Sequence, residues 1–255
     1  MSDAANLRRR VEAYYVRYYR DTLAIPSWRE IVDVRLADEA YEGRRLERLE
    51  RVLGRKVRGS RLLNVGCGTG GFSALAHRAG AGVWGVDTSA EALAIGAART
   101  PEARAILARA EALPLPDRSF DVVYCYSTLE HVTSARGAVR EMVRVLRPGG
   151  ALYIHTPNRW ACFEGHYKVF WVPGLPRPLA AAYLRARGRP TVFLRNLRPL
   201  SLRQCLALLE DAGARGVRVL GNAGDRPVGG PLWPLVRGYY RLFGIVPYVE
   251  VVASR

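Results

Sequence analysis

A glycine-rich turn is the first stretch of the chain whose residue types and spacing could do chemistry. The apolar run from Leu62 to Val65 is typical of a strand buried on both faces, and a helix is predicted from Phe72 to Arg78. The glycines between them are Gly66, Gly68, Gly70 and Gly71. Glycine has no Cβ and tolerates positive φ, so a ligand could approach this backbone closely. Similar turns also occur without ligands, so the turn alone indicates either a nucleotide-type site or a purely structural turn.

An acidic residue follows the glycine turn at a distance that suggests ribose binding. Gly82 to Asp87 is predicted to be a second buried strand, and it ends in a carboxylate about 20 residues after the turn. Such a carboxylate can accept hydrogen bonds from both ribose hydroxyls of an adenosine. The alternative is that Asp87 caps the next helix, but Ser89 is as good a cap. We therefore favour ribose binding for Asp87.

These residues must be positioned by an α/β framework. Strands are predicted at Ala105–Ala110, Phe120–Tyr126 and Ala151–His155, and helices lie between the strands. The helix from Ser134 to Leu146 is capped by Ser134 and has one apolar face. Pro148, Gly149 and Gly150 then end it. This alternation implies a parallel sheet with helices on both faces. The last two strands are predicted at Gly216–Leu220 and Pro247–Ala253, with a long connection between them.

Further motifs carry a resemblance to a known family. They are the block from Ala110 to Tyr126, the run Leu129-Glu130-His131-Val132, and the run from Leu146 to Gly150. Together with the glycine turn, they resemble the motifs of class I S-adenosylmethionine-dependent methyltransferases, from about Leu62 to Asn158. The resemblance implies a Rossmann-like, doubly wound, seven-stranded sheet whose last strand is antiparallel. It also implies S-adenosyl-L-methionine as the cofactor.

The resemblance assigns cofactor contacts residue by residue. Gly66, Cys67, Gly68 and Gly70 would line the methionine and ribose, Asp87 would bind the ribose hydroxyls and Thr88 would lie beside the adenine. Ala110 and Glu111 would meet the adenine edge, and Cys125 would lie near the methionyl amine. The family often has an acid just before the Ala110 position, but here Arg109 stands there. That contact is therefore transferred to Glu111 or to the backbone.

Two histidines are candidates for a catalytic base. His131 follows the fourth strand at the cofactor end of the sheet, although this histidine often only braces the loop. His166 lies in the run Glu164-Gly165-His166-Tyr167-Lys168 of a predicted cap. The motif around His131 also resembles that of ubiquinone-biosynthesis O-methyltransferases, in which a preceding acid helps to hold a metal. Ser127 occupies that position here, so no metal site is predicted.

Two segments are predicted to decorate the domain of residues 61–255. Residues 1–60 are predicted to be helical, with a tyrosine stripe (Tyr14, Tyr15, Tyr18, Tyr19) that packs on the domain or forms a lid. In this segment Arg44 and Arg45 are expected to be solvated, although one of them could reach the cofactor carboxylate. Residues of about 159–200 are rich in aromatics and proline and would form a substrate cap, with Arg177, Arg185 and Arg187 suited to a phosphate or carboxylate.

Composition narrows the function classes. The 255 residues carry a formal charge of +16, which is compatible with a nucleic acid or an anionic membrane as partner. All but two of the 39 basic residues are arginines spread along the chain, so a nucleic acid is disfavoured. The four cysteines lack metal or CxxC spacing, and Met1 to Arg10 lacks the apolar region of a signal peptide, which favours a cytoplasmic protein.

The most favoured function is O-methylation of a small molecule or a glycan, with a lipid-linked acceptor also compatible. An N-methyltransferase or an RNA methyltransferase is the alternative within the class. An NAD-dependent oxidoreductase would use the same glycine turn but does not account for the block from Glu111 to Asp121. A peripheral membrane protein would use Trp233 to Tyr248 as an interfacial stretch. The sequence predicts no oligomeric state.

Overall fold

The computed structural model describes residues 3–221 and 232–255. The strands are β1 (Arg61–Val65), β2 (Gly82–Asp87), β3 (Arg104–Leu107), β4 (Phe120–Tyr126), β5 (Leu146–Pro157), β6 (Phe163–Glu164), β7 (Val169–Phe170), β8 (Arg215–Val219) and β9 (Tyr248–Ser254). The α-helices are α1 (Asp3–Val16), α2 (Trp28–Leu36), α3 (Asp38–Leu53), α4 (Gly71–Arg78), α5 (Ala90–Arg99), α6 (Ala135–Val145), α7 (Arg177–Ala186), α8 (Leu202–Asp211) and α9 (Trp233–Phe243). A π-helical segment (Arg17–Thr22) follows α1, and a 3-10 helix spans Val192–Asn196.

The main sheet has the predicted topology. Its seven strands lie in the order β3-β2-β1-β4-β5-β9-β8. The first five strands along the chain pair in parallel, whereas β9 runs antiparallel to both β5 and β8. This arrangement confirms the Rossmann-like doubly wound sheet with an antiparallel last strand. Because β1, β2 and β4 are parallel neighbours, their carboxyl ends meet at one edge of the sheet, which we call the carboxyl edge.

Alternating side chains of the central strands build an apolar core on each face. Leu62 packs on one face with α3 and α4, where the Phe72 ring stacks on Tyr124 at a centroid distance of 4.0 Å. Leu63 packs on the other face with α6 and α8. The residues of α6 predicted to face the sheet are buried: Val139, Met142, Val143 and, just after the helix, Leu146. Each large apolar side chain buried in this way contributes about 1.5–3 kcal/mol to folding.

Two strand boundaries differ from the predictions by three residues or more. The third strand ends at Leu107 rather than Ala110, because the chain turns away from the sheet after Ala108, whose N–H still donates to the Asp87 carbonyl oxygen (3.1 Å). The fifth strand begins at Leu146 rather than Ala151. Leu146 already pairs with Phe120. A register shift between Phe120 and Val122 accommodates the residues between Leu146 and Ala151.

The N-terminal helices and the cap share an apolar cluster of their own. Tyr19, Leu23 and Ile25 of the N-terminal segment pack with Tyr167 and Leu184 of the cap. Arg189 of the cap also donates to the carbonyl oxygen of Ala24 at 3.0 Å. In contrast, α3 packs against the sheet through Leu49 and Val52. The cap is therefore joined to the first two helices. The sequence predicts the cap and the N-terminal helices as separate segments and does not indicate this contact.

The connection between the last two strands contains α9. Residues 222–231 of this connection lie outside the described residues. In the part of the chain that the structure describes, no helix is both long enough and apolar enough to cross a membrane.

The glycine turn leads to a prediction about stability. Gly66 has φ +74°, and a Cβ placed there would lie 2.8 Å from the Thr128 Cβ and closer still to its Oγ1. Gly54 also has positive φ (+66°) but has open space around it. In chemical unfolding, Gly54→Ala is expected to cost about 1–2 kcal/mol for the left-handed backbone alone. Gly66→Ala is expected to cost about 1–3 kcal/mol more, because the methyl group overlaps Thr128. Equal losses for the two variants would contradict the close approach.

Candidate active site

The glycine turn is held against the end of β2 by backbone hydrogen bonds. The N–H groups of Gly66 and Cys67 both donate to the Val86 carbonyl oxygen, at 2.8 and 3.0 Å. The next donor, the Gly68 N–H, reaches the Asp87 carboxylate at 2.8 Å. The turn therefore has a defined shape before any ligand binds.

Asp87 is held by two backbone donors. Its Oδ2 accepts from Gly68 N and its Oδ1 accepts from Ser89 N at 2.9 Å. A carboxylate has about four acceptor positions, so each oxygen retains capacity for a ribose hydroxyl. The cap of α5 is Ser89, whose Oγ accepts from Ala92 N at 3.2 Å. The alternative in which Asp87 is the helix cap is thus not needed.

Two adjoining cavities lie at the carboxyl edge, and we call them together the cofactor cavities. The larger, of about 510 Å³, is lined by Asp87, Thr88, Ala110 and Glu111. The smaller, of about 200 Å³, is lined by Cys67 and Gly68. Both cavities are also lined by Gly66, Ser127, Tyr14 and Tyr18. The structure therefore brings most of the predicted cofactor residues to one continuous site.

Two predicted cofactor residues lie off this lining. Gly70 begins α4, and a Cβ there would lie 2.8 Å from the Gly96 Cα, so Gly70 allows α4 to pack closely on α5. Cys125 is 1% exposed and belongs to the core on the α6 and α8 side, where burial raises the pKa of its thiol. Its neighbour Tyr126 lines the smaller cavity. The cofactor contacts of Gly70 and Cys125 stay predictions.

Glu111 links the larger cavity to the start of α6. Its Oε1 accepts from the backbone N–H groups of Thr133 and Ser134 at 2.7 and 3.2 Å. Burial alone would raise the pKa of Glu111, but these bonds and Arg109 lower it. The carboxylate therefore braces the loop that carries His131. Its predicted adenine contact would be made in addition to this role.

Arg45 lies at the site, and the expectation that its side chain is solvated is wrong. Its guanidinium lies 3.8 Å from the ring centroid of Tyr126, donates to the Tyr124 hydroxyl at 3.0 Å and pairs with Glu42 at 2.6 Å. Arg45 is thus enclosed rather than solvated, and with Arg35 it lines the smaller cavity. The signal in the sequence is the pair of tyrosines two residues apart on β4, which presents two rings on one face of the strand.

The N-terminal tyrosines both pack on the domain and line the cofactor cavities. The Tyr15 hydroxyl and the Thr69 Oγ1 are 2.9 Å apart, which fastens α1 to the glycine turn. Arg17 forms an ion pair with Glu91 of α5. Burial and the charge of nearby Asp87 raise the pKa of Tyr14 to about 12, so its hydroxyl stays neutral. Opening of this segment as a lid stays a prediction.

A second site, which we call the cap cavity, lies beneath the cap. Its volume is about 460 Å³. Its lining combines aromatic side chains (Phe163, Trp171), three arginines (Arg159, Arg177, Arg198) and the polar pair Glu130 and His166. Of the cap arginines suggested by the sequence, Arg177 lies on this lining, whereas Arg185 and Arg187 are exposed on and just after α7.

Two histidines form the junction between the cavities. His131 lines the larger cofactor cavity and His166 lines the cap cavity, and their Nε2 atoms are 3.1 Å apart. The Nδ1 of His166 lies 2.7 Å from Glu164 Oε1. The Glu130 Oε1 is 3.8 and 3.7 Å from the two Nε2 atoms and has no hydrogen-bond partner among the described residues, although Glu130 is only 1% exposed. The two predicted catalytic residues are therefore in direct contact.

The surroundings shift the pKa values of the two histidines in opposite directions. Burial alone would lower the pKa of His166, but the hydrogen bond and charge of Glu164, together with Glu130, raise it. Burial and the charge of His166 lower the pKa of His131 to about 4. Burial raises the pKa of Glu130. Of the two imidazoles, His166 is therefore the stronger base.

The same groups are close enough to coordinate one metal ion. Ligand atoms of Glu130, His131 and His166 lie within 4.8 Å of one another, and two imidazoles with a carboxylate suit a divalent transition metal. The two Nε2 atoms are also within hydrogen-bond distance of each other, at 3.1 Å. Ser127, at the position of the family's metal-holding acid, lines the cofactor cavities.

Comparison with known proteins gives concordant results. Residues 63–154 match the family model described as a methyltransferase domain. A demethylmenaquinone methyltransferase of Beutenbergia cavernae is 36% identical, covering 62% of this chain and 67% of the relative. A ubiquinone biosynthesis O-methyltransferase of Pseudomonas fluorescens is 36% identical over 40% of this chain and 46% of the relative. The chain spans 57–60% of the length of other curated relatives. A solved methyltransferase of Mesorhizobium loti has a TM-score of 0.56 at 22% identity, covering 80% and 95% of the two chains.

The parallel strands, the glycine turn and an acid at the end of β2 define a nucleotide-type cofactor site on a Rossmann-like sheet. The chain belongs to the class I S-adenosylmethionine-dependent methyltransferases, and S-adenosylmethionine is the cofactor of that family. This membership supports the methyltransferase interpretation of the glycine turn over the dinucleotide one.

Asp87 provides a direct test of the cofactor site. Calorimetric titration with S-adenosylhomocysteine is expected to show saturable binding, with NAD binding much more weakly. Asp87→Asn is expected to lower the affinity for S-adenosylhomocysteine by about tenfold to a hundredfold, because hydrogen bonds to a charged group contribute about 1.5–3 kcal/mol. Glu102→Gln, which neutralises an exposed carboxylate beyond α5, is the matched control. Unchanged affinity in Asp87→Asn, at an unchanged melting temperature, would contradict the assignment.

Proposed function

We propose that this protein transfers the methyl group of S-adenosylmethionine to a hydroxyl oxygen of a small molecule held in the cap cavity. The observation that carries the proposal is the His131–His166 contact. This contact joins the wall of the larger cofactor cavity to the wall of the cap cavity. An acceptor in the cap cavity would reach the cofactor at this junction.

The cofactor would occupy both cavities at the carboxyl edge. Its ribose would bind Asp87, and its adenine would lie beside Thr88, Ala110 and Glu111, which line the larger cavity. Its methionine would lie along Gly66, Cys67 and Gly68. The cationic side chains of Arg35 and Arg45 on the smaller cavity suit the methionyl carboxylate.

The chemical step is an in-line displacement at the methyl carbon. The acceptor oxygen would form the new bond to the methyl carbon with its own electron pair, while the pair of the breaking carbon–sulfur bond would leave with the sulfur. Holding acceptor and methyl group in line can supply about 7–11 kcal/mol of the barrier reduction. The protein must also accept the proton of the acceptor hydroxyl.

Glu164 and His166 are arranged for that proton transfer. A carboxylate bound to Nδ1 orients an imidazole so that its Nε2 can serve as the base. An acceptor hydroxyl that displaces the contact between the histidines would meet both Nε2 atoms. His166 faces the cap cavity and has the higher pKa, so we assign it the proton and assign His131 the positioning of the hydroxyl.

The acceptor class follows from the cavity and the relatives. A cavity of about 460 Å³ suits a small molecule, and its aromatic side chains suit a ring or a sugar face. One relative is a demethylmenaquinone methyltransferase and another is a ubiquinone biosynthesis O-methyltransferase. We therefore prefer a hydroxylated ring over a glycan. An N-methyltransferase or an RNA methyltransferase remains the alternative.

A peripheral membrane contact through Trp233 to Tyr248 stays a prediction, and the exposed face of α9 supports it. Leu235, Leu242 and Phe243 are 73%, 79% and 64% exposed, with the exposed Arg237 and Arg241 beside them. An apolar helix face flanked by cations suits an anionic bilayer. The full chain is expected to float with anionic liposomes but not with neutral ones, and Leu235→Ser with Leu242→Ser is expected to abolish flotation. Flotation that is unaffected by these substitutions would contradict a role for α9.

Methyl transfer can be tested with labelled S-adenosylmethionine and paired acceptors. Dihydroxybenzoate is expected to be methylated, whereas diaminobenzoate is expected to remain unmethylated. Because His166 must be neutral to accept a proton, kcat/KM is expected to rise with pH through the raised pKa of His166 and then level off. Glu164→Gln removes the group that raises this pKa, so the midpoint moves to lower pH and the plateau falls by about tenfold to a hundredfold.

His77→Gln is the control for this experiment, because it removes a histidine on α4 away from the junction. Its pH profile is expected to match that of the unmodified protein. Transfer to diaminobenzoate alone would replace the O-methyl proposal with N-methylation. A Glu164→Gln profile with an unchanged midpoint would refute the assigned base.

A further inference from the structure

The cap cavity has a charged side that methyl transfer does not require. Arg159, Arg177 and Arg198 line it, and within residues 3–221 and 232–255 none of the three forms an ion pair with a carboxylate. Among the described residues, the guanidinium groups of Arg177 and Arg198 each make one long hydrogen bond to a backbone carbonyl oxygen, at 3.4 Å to Leu197 and 3.5 Å to Val132. All three arginines are exposed, so water screens their mutual repulsion and their guanidinium groups are accessible to an anion.

The acidic residues of the cavity do not supply that anion. Glu164 is already neutralised by His166, to which it is hydrogen-bonded at 2.7 Å. Glu130 is the second acidic residue of the lining, so the three arginines outnumber the two carboxylates. The net charge that the cavity presents to a ligand is therefore positive.

Two further features of the lining point to a ligand. Arg177 starts α7 at the cavity after the N-cap Pro176, and no side chain caps this helix start, so the positive end of the helix dipole lies at the cavity. The buried Glu130 Oε1 lacks a hydrogen-bond partner among the described residues and belongs to a residue of the same lining. The helix dipole favours an anion, and the Glu130 oxygen needs a polar ligand group to satisfy it.

We propose that the methyl acceptor is an anion, with a carboxylate or phosphate group held by Arg159, Arg177 and Arg198 and an apolar ring or chain against Phe163 and Trp171. This inference rests on the proposed function, because it names the substrate class of the same site. The anionic group anchors the acceptor away from the junction, and the hydroxyl to be methylated lies at the histidines. Planar guanidinium groups bind both carboxylate and phosphate by paired hydrogen bonds.

The test measures binding to the full chain saturated with S-adenosylhomocysteine, so that the cofactor site is verified independently. Dihydroxybenzoate and its neutral amide, dihydroxybenzamide, differ in charge but hardly in shape. The acid is expected to bind at least about tenfold more tightly than the amide. Catechol phosphate, measured in parallel, shows whether phosphate or carboxylate is preferred. Equal affinities for the acid, the phosphate and the amide, or no binding of any of them, would overturn the proposal and leave the cofactor result standing.

Two arginines of the cap serve as a matched pair of variants. Arg177→Gln is expected to weaken binding of the preferred anion by about tenfold and to leave the amide and S-adenosylhomocysteine unaffected. Arg185→Gln, in the last turn of the same helix and exposed outside the cavity lining, is expected to change none of these affinities. Arg198→Gln provides a second variant on another segment. Equal weakening of the acid and the amide in both cavity variants would show a loss of shape rather than of charge, and would refute the anion site.

Discussion

The close approach of the carboxyl ends of β1, β2 and β4 is the constraint on which the rest of the site depends. Gly66 leaves β1 so near to Thr128, beyond β4, that a side chain would overlap it. This contact aims the glycine turn at the Asp87 carboxylate, where the Gly68 amide is bound. A parallel sheet brings these three strand ends together, and the missing Cβ leaves room for a ligand against the backbone.

The cover over this edge is assembled from distant parts of the chain. The first two helices and the cap bury a common apolar cluster around Tyr19, Leu23 and Tyr167. Phe193 extends the cover to the histidine junction, since its ring centroid lies 5.5 Å from those of both His131 and His166. Tyr14 and Tyr15 of α1 line the smaller cofactor cavity beside this cluster. The cap cavity and the cofactor cavities are thus lined in part by one packed unit.

The histidine junction and the smaller cofactor cavity hold different charged groups. The hydrogen bond of Glu164 to His166 raises the pKa of His166, while burial and His166 lower the pKa of neighbouring His131. Arg45 is enclosed in the wall of the smaller cavity, where the Tyr124 hydroxyl and Glu42 accept from its guanidinium and Tyr126 stacks on it. Low-dielectric surroundings strengthen each of these interactions, so a few charged groups suffice.

The sequence by itself determined the sheet, the glycine turn and Asp87, because these depend on local patterns: short apolar strands, glycine spacing and an acid at a strand end. It also supplied both histidines, but not their contact. Only the tertiary structure decided that His131 and His166 meet, that Glu164 orients one of them and that Arg45 is enclosed. Those relations join residues far apart along the chain. Their geometry and burial arise when the cap and the N-terminal helices pack together, and no local pattern encodes that packing.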